Sequence, residues 1–328
     1  MGRHGLSTTI TFLSPVQADL FAVEAKMRSQ ADGNHPDLIL ALDLLVSAGG
    51  KRIRPALTLL TGKMLHGNLD ELITLASAIE LLHTATLVHD DLIDGALLRR
   101  GVPTLNSQWT PAATVLTGDF LFARAAKLAA DTNSVPVMKL FANTLAIIVN
   151  GEITQMFASR CSTQRGDYYQ RIYAKTASLF ETAAKSAAML SGTDEPTIEI
   201  MRAYGYEIGM AFQIVDDILD FTGDQATVGK PIGSDLRQGL ITLPALKYIE
   251  THPEHPASAR LLADECLKDE AQIRSLIDAI RKSDAIMEAH KEAVQYVKRG
   301  LDSLCQLPHS FERDRLEELG EYIVKRDF

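Results

Sequence analysis

The chain has 328 residues, 46% apolar and 23% charged, which is long enough to bury a substantial core without a disulfide frame or a structural metal. Acidic residues outnumber basic ones by 42 to 33, for a net charge of −9. With no overall positive field to release counterions, nucleic acid is excluded as the main partner, whereas a local basic site for a small anion is not. The start, MGRHGLSTTITFLSP, has no signal-peptide apolar region, and Leu6 stands where a myristoylation motif wants Ser or Thr. Twelve prolines leave long proline-free stretches at 56–102, 137–195, 197–230 and 257–307. Predicted helices run over 15–30, 36–48, 53–66, 70–94, 112–130, 136–160, 167–191, 197–221, 239–251, 270–299 and 311–326. Aromatics are only 6% and alternating strand-like runs are scarce. With no repeat, low-complexity tract or linker, the expectation is an all-α fold: one large helical bundle, a single domain over 1–328. Several helices are apolar on more than one face, as in 70–88 and 140–149, which suits central positions. No apolar run approaches the ~18 residues of a transmembrane segment. Cys161, Cys266 and Cys305 are far apart and form no CxxC pair, so they read as reduced, mostly buried thiols of a cytoplasmic protein.

Two acidic clusters share one spelling. DDLID contributes Asp90, Asp91 and Asp94; DDILD contributes Asp216, Asp217 and Asp220. On a helix the first and last aspartates of each cluster lie on one face and repel. Both clusters follow apolar segments (TATLV and FQIV), so the carboxylates sit where a helix leaves the core. Cations are needed to hold six negative charges there, and hard carboxylate oxygens suit Mg²⁺ shared with substrate phosphates.

The basic residues supply the complement. GGKRIRP at 49–55 presents Lys51, Arg52 and Arg54 after two glycines, and Arg99 and Arg100 closely follow the first acidic cluster. Guanidinium forks beside carboxylates make the two halves of a diphosphate pocket. His83 shares a helical stripe with Asp90 and Asp94, while His89 lies off it and reads as structural. Segment 223–239, GDQATVGKPIGSDLRQG, reads either as a plain surface loop or as an active-site lid.

Together, GGKRIRP, LLHTATLVHDDLIDGALLRRG, KTASLF, MAFQIVDDILD and GKPIGSDLRQG resemble the (E)-polyprenyl diphosphate synthases, the trans-isoprenyl chain-elongation family, over roughly residues 45–245. The resemblance implies an isoprenoid-synthase bundle around a central apolar cavity, usually a homodimer. It implies that the six aspartates hold about three Mg²⁺ on an allylic diphosphate. Lys51, Arg54, His83 and Arg100 match positions that bind isopentenyl diphosphate; Arg99, Lys175 and Lys230 match positions that grip the allylic diphosphate. Thr176 and Gln213 match polar groups facing the developing carbocation, and Gln155 in GEITQ matches a cavity position. The C-terminal YIVKRDF resembles the basic ends that close over isopentenyl diphosphate but departs from their usual spelling, leaving Lys325 and Arg326 without an assigned role.

Product length follows from what stands upstream of Asp90. Ala85 and Thr86, with Leu81 and Leu82 beyond, place no aromatic in the path of the growing tail, and no insertion interrupts the motif. The expectation is a trans-polyprenyl product longer than geranylgeranyl, with Leu145, Ile148 and Val149 as other candidates for the floor. The alternatives are a geranylgeranyl or farnesyl diphosphate synthase and, from another class, a non-catalytic subunit of a heteromeric prenyl synthase. A class I terpene cyclase or a squalene-type synthase fits less well, since neither carries GGKRIRP.

Overall fold

The computed structural model describes residues 11–99, 101–157, 161–223 and 231–326. After a 3₁₀ segment, Thr11–Val16, the chain runs through α1 (Gln17–Arg28), α2 (Pro36–Ser47), α3 (Ile53–Met64) and α4 (Leu69–Ile93). A two-residue antiparallel hairpin, β1 (Leu98–Arg99) with β2 (Val102–Pro103), leads to the short α5 (Leu105–Gln108). Then come α6 (Pro111–Asp131), α7 (Val135–Phe157) and α8 (Arg165–Ile172), which passes through a π-helical turn, Tyr173–Ala177, into α9 (Ser178–Leu190). The second half holds α10 (Glu195–Thr222), α11 (Ser234–Arg237), α12 (Leu243–Thr251), α13 (Pro256–Leu262), α14 (Glu270–Lys282), α15 (Ala285–Leu304) and α16 (Phe311–Val324).

Local chemistry sets the helix starts. Asn68 accepts hydrogen bonds from the Asp70 and Glu71 amides at the head of α4, and Asp194 accepts from Thr197 at the head of α10. Proline stands in the first turn of α2, α6, α10, α12 and α13, where its missing N–H costs nothing. The two helices that end in the acidic clusters form the centre: α4 packs along α6 and α3, and α10 along α15 and α9. His89 takes the structural role expected of it. Its Nε2 lies 3.1 Å from the Val115 carbonyl, and its ring fills the space beside Gly118 on α6.

Gly205 and Gly209 lie one turn apart on α10, on the face that carries Gln213 and Asp217 one and two turns further on. A Cβ on Gly205 would come within 2.6 Å of the Phe180 carbonyl, and one on Gly209 within 2.6 Å of the Ala177 Cα. The missing side chains let α10 lie directly against the π turn and α9.

Four expectations need correction. The predicted helix 270–299 is two helices, because Ser283 is extended and its hydroxyl accepts from the Ala285 amide to begin α15. Cys161 and Cys266 form a disulfide with Cα atoms 5.5 Å apart, and Cys305 is exposed rather than buried. The fold joins two loops 105 residues apart in sequence, a proximity that cysteine spacing does not encode. Two described helices, Leu69–Ile93 and Val135–Phe157, are long and apolar enough to cross a membrane by length and composition. The first is mostly buried as a core helix, and the second is mostly exposed. Finally, Val149 is 42% exposed and faces away from the core, unlike Ile148.

Gly209→Ala should lower stability by about 1–3 kcal/mol through overpacking against backbone that cannot yield. Urea unfolding checks this; an unchanged midpoint would mean that α10 and the π turn separate freely.

Candidate active site

GGKRIRP works through a division of labour. Arg52 adopts a left-handed conformation (φ 48°) just before α3 and turns inward. Its Nε donates to Glu24 at 2.8 Å, Nη1 to the buried Glu80 at 2.9 Å and Nη2 to the Val46 carbonyl at 2.7 Å. Arg52 therefore pins the loop, and with Lys51 and Arg54 it lines a cavity of about 490 Å³. The Arg54 guanidinium lies 4.7 Å from the Phe180 ring centroid, and Lys51 Nζ 5.5 Å from that of Tyr322. His83, Arg99, Asp91, Asp216, Phe212 and Arg326 also line this cavity. Both acidic helices thus reach one pocket. Among the residues expected on isopentenyl diphosphate, Lys51, Arg54 and His83 converge there; Arg100 lies outside the described residues.

The six aspartates have unequal surroundings. Asp91 is buried and accepts from Arg99 at 2.9 Å (Nε) and 2.8 Å (Nη2). Asp216 pairs with Arg326 Nη2 at 2.7 Å. Asp220 accepts from the Ser234 amide (3.1 Å), the Ser234 hydroxyl (2.7 Å) and the Asp235 amide (3.3 Å), anchoring α11. Of the expected lid over 223–239, residues 231–239 are thus partly helical and tied to Asp220, whereas 224–230, with Lys230, lie outside the described residues. Asp94 is exposed at the end of α4. Burial pushes the Asp90 carboxyl up to about 6; Lys175 opposes the rise, and Glu152 and Asp94 add to it.

Lys175 belongs to the π turn, a local widening of the helix that recurs at functional positions. Its ammonium stands 3.4 Å from Glu152. Burial works to lower the Lys175 pKa, but the carboxylates of Asp90, Glu152 and Asp94 outweigh it and hold the pKa above its ordinary value. Thr176, the next residue, donates to Gln213 Oε1 at 2.6 Å, and Gln213 Nε2 donates to Asp217 Oδ1 at 2.8 Å. Asp217 Oδ2 accepts from the Tyr168 hydroxyl at 2.7 Å. Burial, and then the Asp235 charge, pushes the Asp217 carboxyl up to about 7 against these donors.

Sequence reading did not single out Glu152, Tyr168 or Phe212, and gave Arg326 no role. Arg326 is 12% exposed, stacks at 4.7 Å on Phe212, and keeps Nε and Nη1 buried without hydrogen-bond partners among the described residues. GEITQ held the one available signal for Glu152, but the expectation fell on Gln155, which is half-buried. Ala85 is completely buried, and Thr86 is half-buried one turn below Asp90.

Hard carboxylate oxygens suit a divalent cation of the Mg²⁺ or Ca²⁺ type, and the aspartates of the two clusters, Asp90, Asp91 and Asp94 with Asp216, Asp217 and Asp220, are the residues that would hold it. Among the described residues no three acidic, His or Cys groups already converge as a ligand set. Burial raises the Asp90 pKa, and a cation bound beside the carboxylate would lower it again.

A helical bundle whose central cleft pairs carboxylate clusters with guanidinium groups belongs to the class of proteins that handle diphosphate esters. The profile of the Polyprenyl synthetase family matches residues 35–280. The chain is 37% identical over 324 residues to heptaprenyl diphosphate synthase component 2 of Geobacillus stearothermophilus, covering 98% of this chain and 99% of that one. It is 38% identical over 318 residues to an all-trans-nonaprenyl-diphosphate synthase (geranyl-diphosphate specific) of Rhodobacter capsulatus, covering 96% and 97%. A crystal structure of a polyprenyl synthase from Caulobacter crescentus, complexed with calcium and isoprenyl diphosphate, superposes with a TM-score of 0.87 at 33% identity, covering 98% and 99%. The chain belongs to the polyprenyl synthetase family, as its motifs led one to expect.

Folded protein holds the Asp90 proton up to about pH 6, whereas an unfolded chain releases it near ~3.9. Cation-free protein should therefore lose stability from this group as pH rises through that interval. Asp90→Asn should gain on wild type between about pH 4 and 6 in urea unfolding; parallel curves would mean that Asp90 titrates normally.

Proposed function

We propose that this protein is a prenyltransferase that adds isopentenyl diphosphate units head-to-tail to an allylic diphosphate, giving a trans-polyprenyl diphosphate longer than geranylgeranyl. The observation that carries the reading is the single cavity onto which Lys51, Arg54, His83 and Arg326 converge with members of both acidic clusters. In this reading Lys51, Arg54, His83 and Arg100 take isopentenyl diphosphate. Arg326, with two unpartnered buried nitrogens, joins them as a further anion contact. Arg99, Lys175 and Lys230 face the allylic diphosphate.

A divalent cation, of which Mg²⁺ is the expected one, would be held by the aspartates and would supply the charge neutralisation that lets an allylic diphosphate leave. Lys175, kept protonated by the surrounding carboxylates, adds positive charge on the departing side without contacting the carbon skeleton. The Gln213 carbonyl and the Thr176 hydroxyl present oxygen dipoles where positive charge develops on the allyl group. The isopentenyl double bond then attacks, and the released diphosphate takes the lost proton. Water must be kept out of this step, which suits the segment anchored on Asp220 as a cover.

The small Ala85 beneath the first cluster, and the heptaprenyl and nonaprenyl products in the relatives' names, support the long product. An apolar face on α6 and α7, with Val115, Leu116, Ile153, Met156 and Phe157 exposed, supports a homodimer joined through these helices. A second reading has one specific support. The Geobacillus relative is named component 2, which favours a chain that works only with a partner chain. Retention of all six aspartates makes this chain the catalytic member of any such pair.

Incubation of the purified protein with Mg²⁺, labelled isopentenyl diphosphate and geranyl, farnesyl or geranylgeranyl diphosphate should give a ladder ending beyond geranylgeranyl. Termination at farnesyl or geranylgeranyl would refute the length, and no product with any primer would favour an obligate heteromer. Sedimentation equilibrium should give twice the chain mass; a monomer at micromolar concentration would remove the α6–α7 interface.

A further inference from the structure

Asp217 accepts hydrogen bonds from inside the protein at both of its oxygens. It is buried, with Oδ2 taken by the Tyr168 hydroxyl at 2.7 Å and Oδ1 by Gln213 Nε2 at 2.8 Å. Tyr168 is 1% exposed and enclosed by Tyr169 and the Arg171 guanidinium, so its hydroxyl is fixed in place. We propose that Tyr168 is a positioning residue that acts through Asp217 to fix the Gln213 side-chain amide, and that Asp217 serves as this anchor rather than as a cation ligand.

The hydrogen bonds set the orientation of the amide: Gln213 turns its NH₂ toward Asp217, which accepts at Oδ1, and its oxygen toward the Thr176 hydroxyl, which donates to it at 2.6 Å. On the prenyl-transfer reading, the Gln213 oxygen so oriented is the dipole that meets developing positive charge. Without the Tyr168 hydroxyl, Asp217 loses one of its two donors and can rotate, and the amide is free to flip and present its NH₂ to the cleft instead. The elements that make the chain of contacts are α8 (Tyr168), the π turn (Thr176) and α10 (Gln213, Asp217). Gly205 and Gly209 allow α10 close enough to the π turn for the hydrogen bonds to form. Tyr168 lies outside every motif by which the chain resembles its family, so its role is visible only once α8 and α10 are folded together.

The catalytic consequence rests on the prenyl-transfer reading; the amide orientation does not. Tyr168→Phe should lower kcat roughly 10–100-fold while leaving both substrate KM values and the Mg²⁺ requirement within about twofold. In a double-mutant cycle, Tyr168→Phe should cost little further in a Gln213→Ala background; losses that add in full would overturn the proposal. Asp217→Asn keeps the shape but can no longer accept at both atoms, and provides the test if Tyr168→Phe does not fold. It should likewise lower kcat at an unchanged half-saturating Mg²⁺, whereas a large rise in that concentration would make Asp217 a ligand and overturn the anchor. Side-chain amide NMR, with the Gln213 NH₂ assigned by its loss in Gln213→Ala, decides the orientation even if wild type proves to have no prenyltransferase activity. A slowly exchanging Gln213 NH₂ in wild type that becomes fast-exchanging in Tyr168→Phe supports the proposal; the same exchange rate in both overturns it.

Discussion

Carboxylates crowded where two apolar helices leave the core must be compensated, and much of the site follows from how each one is. Asp91 is held by Arg99, Asp216 by Arg326, Asp220 by the start of α11, and Asp217 by Tyr168 and Gln213. Asp90, with Lys175 as its nearest cation, keeps a raised pKa. A buried charge left unpaired costs several kcal/mol, so each partner is held to its place by the acid it serves. The cleft is in this sense a set of provisional pairings. A substrate bringing its own anions and a divalent cation can exchange several of them, because Arg99 and Arg326 already stand at the cavity wall.

Two parts of the site are built differently. Around GGKRIRP, rigidity comes from Arg52, whose guanidinium is consumed inside the protein by Glu24, Glu80 and the Val46 carbonyl. The loop is thereby fixed with Lys51 and Arg54 lining the pocket. Around the π turn, which does not line that pocket, rigidity comes from backbone proximity: two glycines bring α10 onto the π turn, and a line of hydrogen bonds runs from Thr176 to Tyr168.

Much of this was legible in the residues. Helix 70–94 and the all-α architecture follow from apolar periodicity and proline spacing, and the convergence of Lys51, Arg54 and His83 follows from motif and stripe. What escaped depends on distant contacts. Arg52 reads like Arg54 until Glu80 is seen beside it. Tyr168 is one of eight tyrosines, and nothing local distinguishes it. The break at Ser283 lacks Gly and Pro; its signal was a serine able to cap, embedded in a helical pattern that continues on both sides. Cys161 and Cys266 show no relation in sequence because the elements between them bring the two loops together.

That cross-link divides the molecule unequally. The ring it closes contains α8 through α13, and with them the entire second acidic cluster, while the first cluster lies on the open N-terminal stretch. Oxidised chains therefore unfold to a looped ensemble and reduced chains to a linear one. In a chain-entropy account, closing a loop of about 100 residues is worth about 4.7 kcal/mol, larger than most single substitutions. The thiol state of a preparation thus defines the zero of its stability scale, and variants made on either side of the ring can be ranked against one another only when that state is the same.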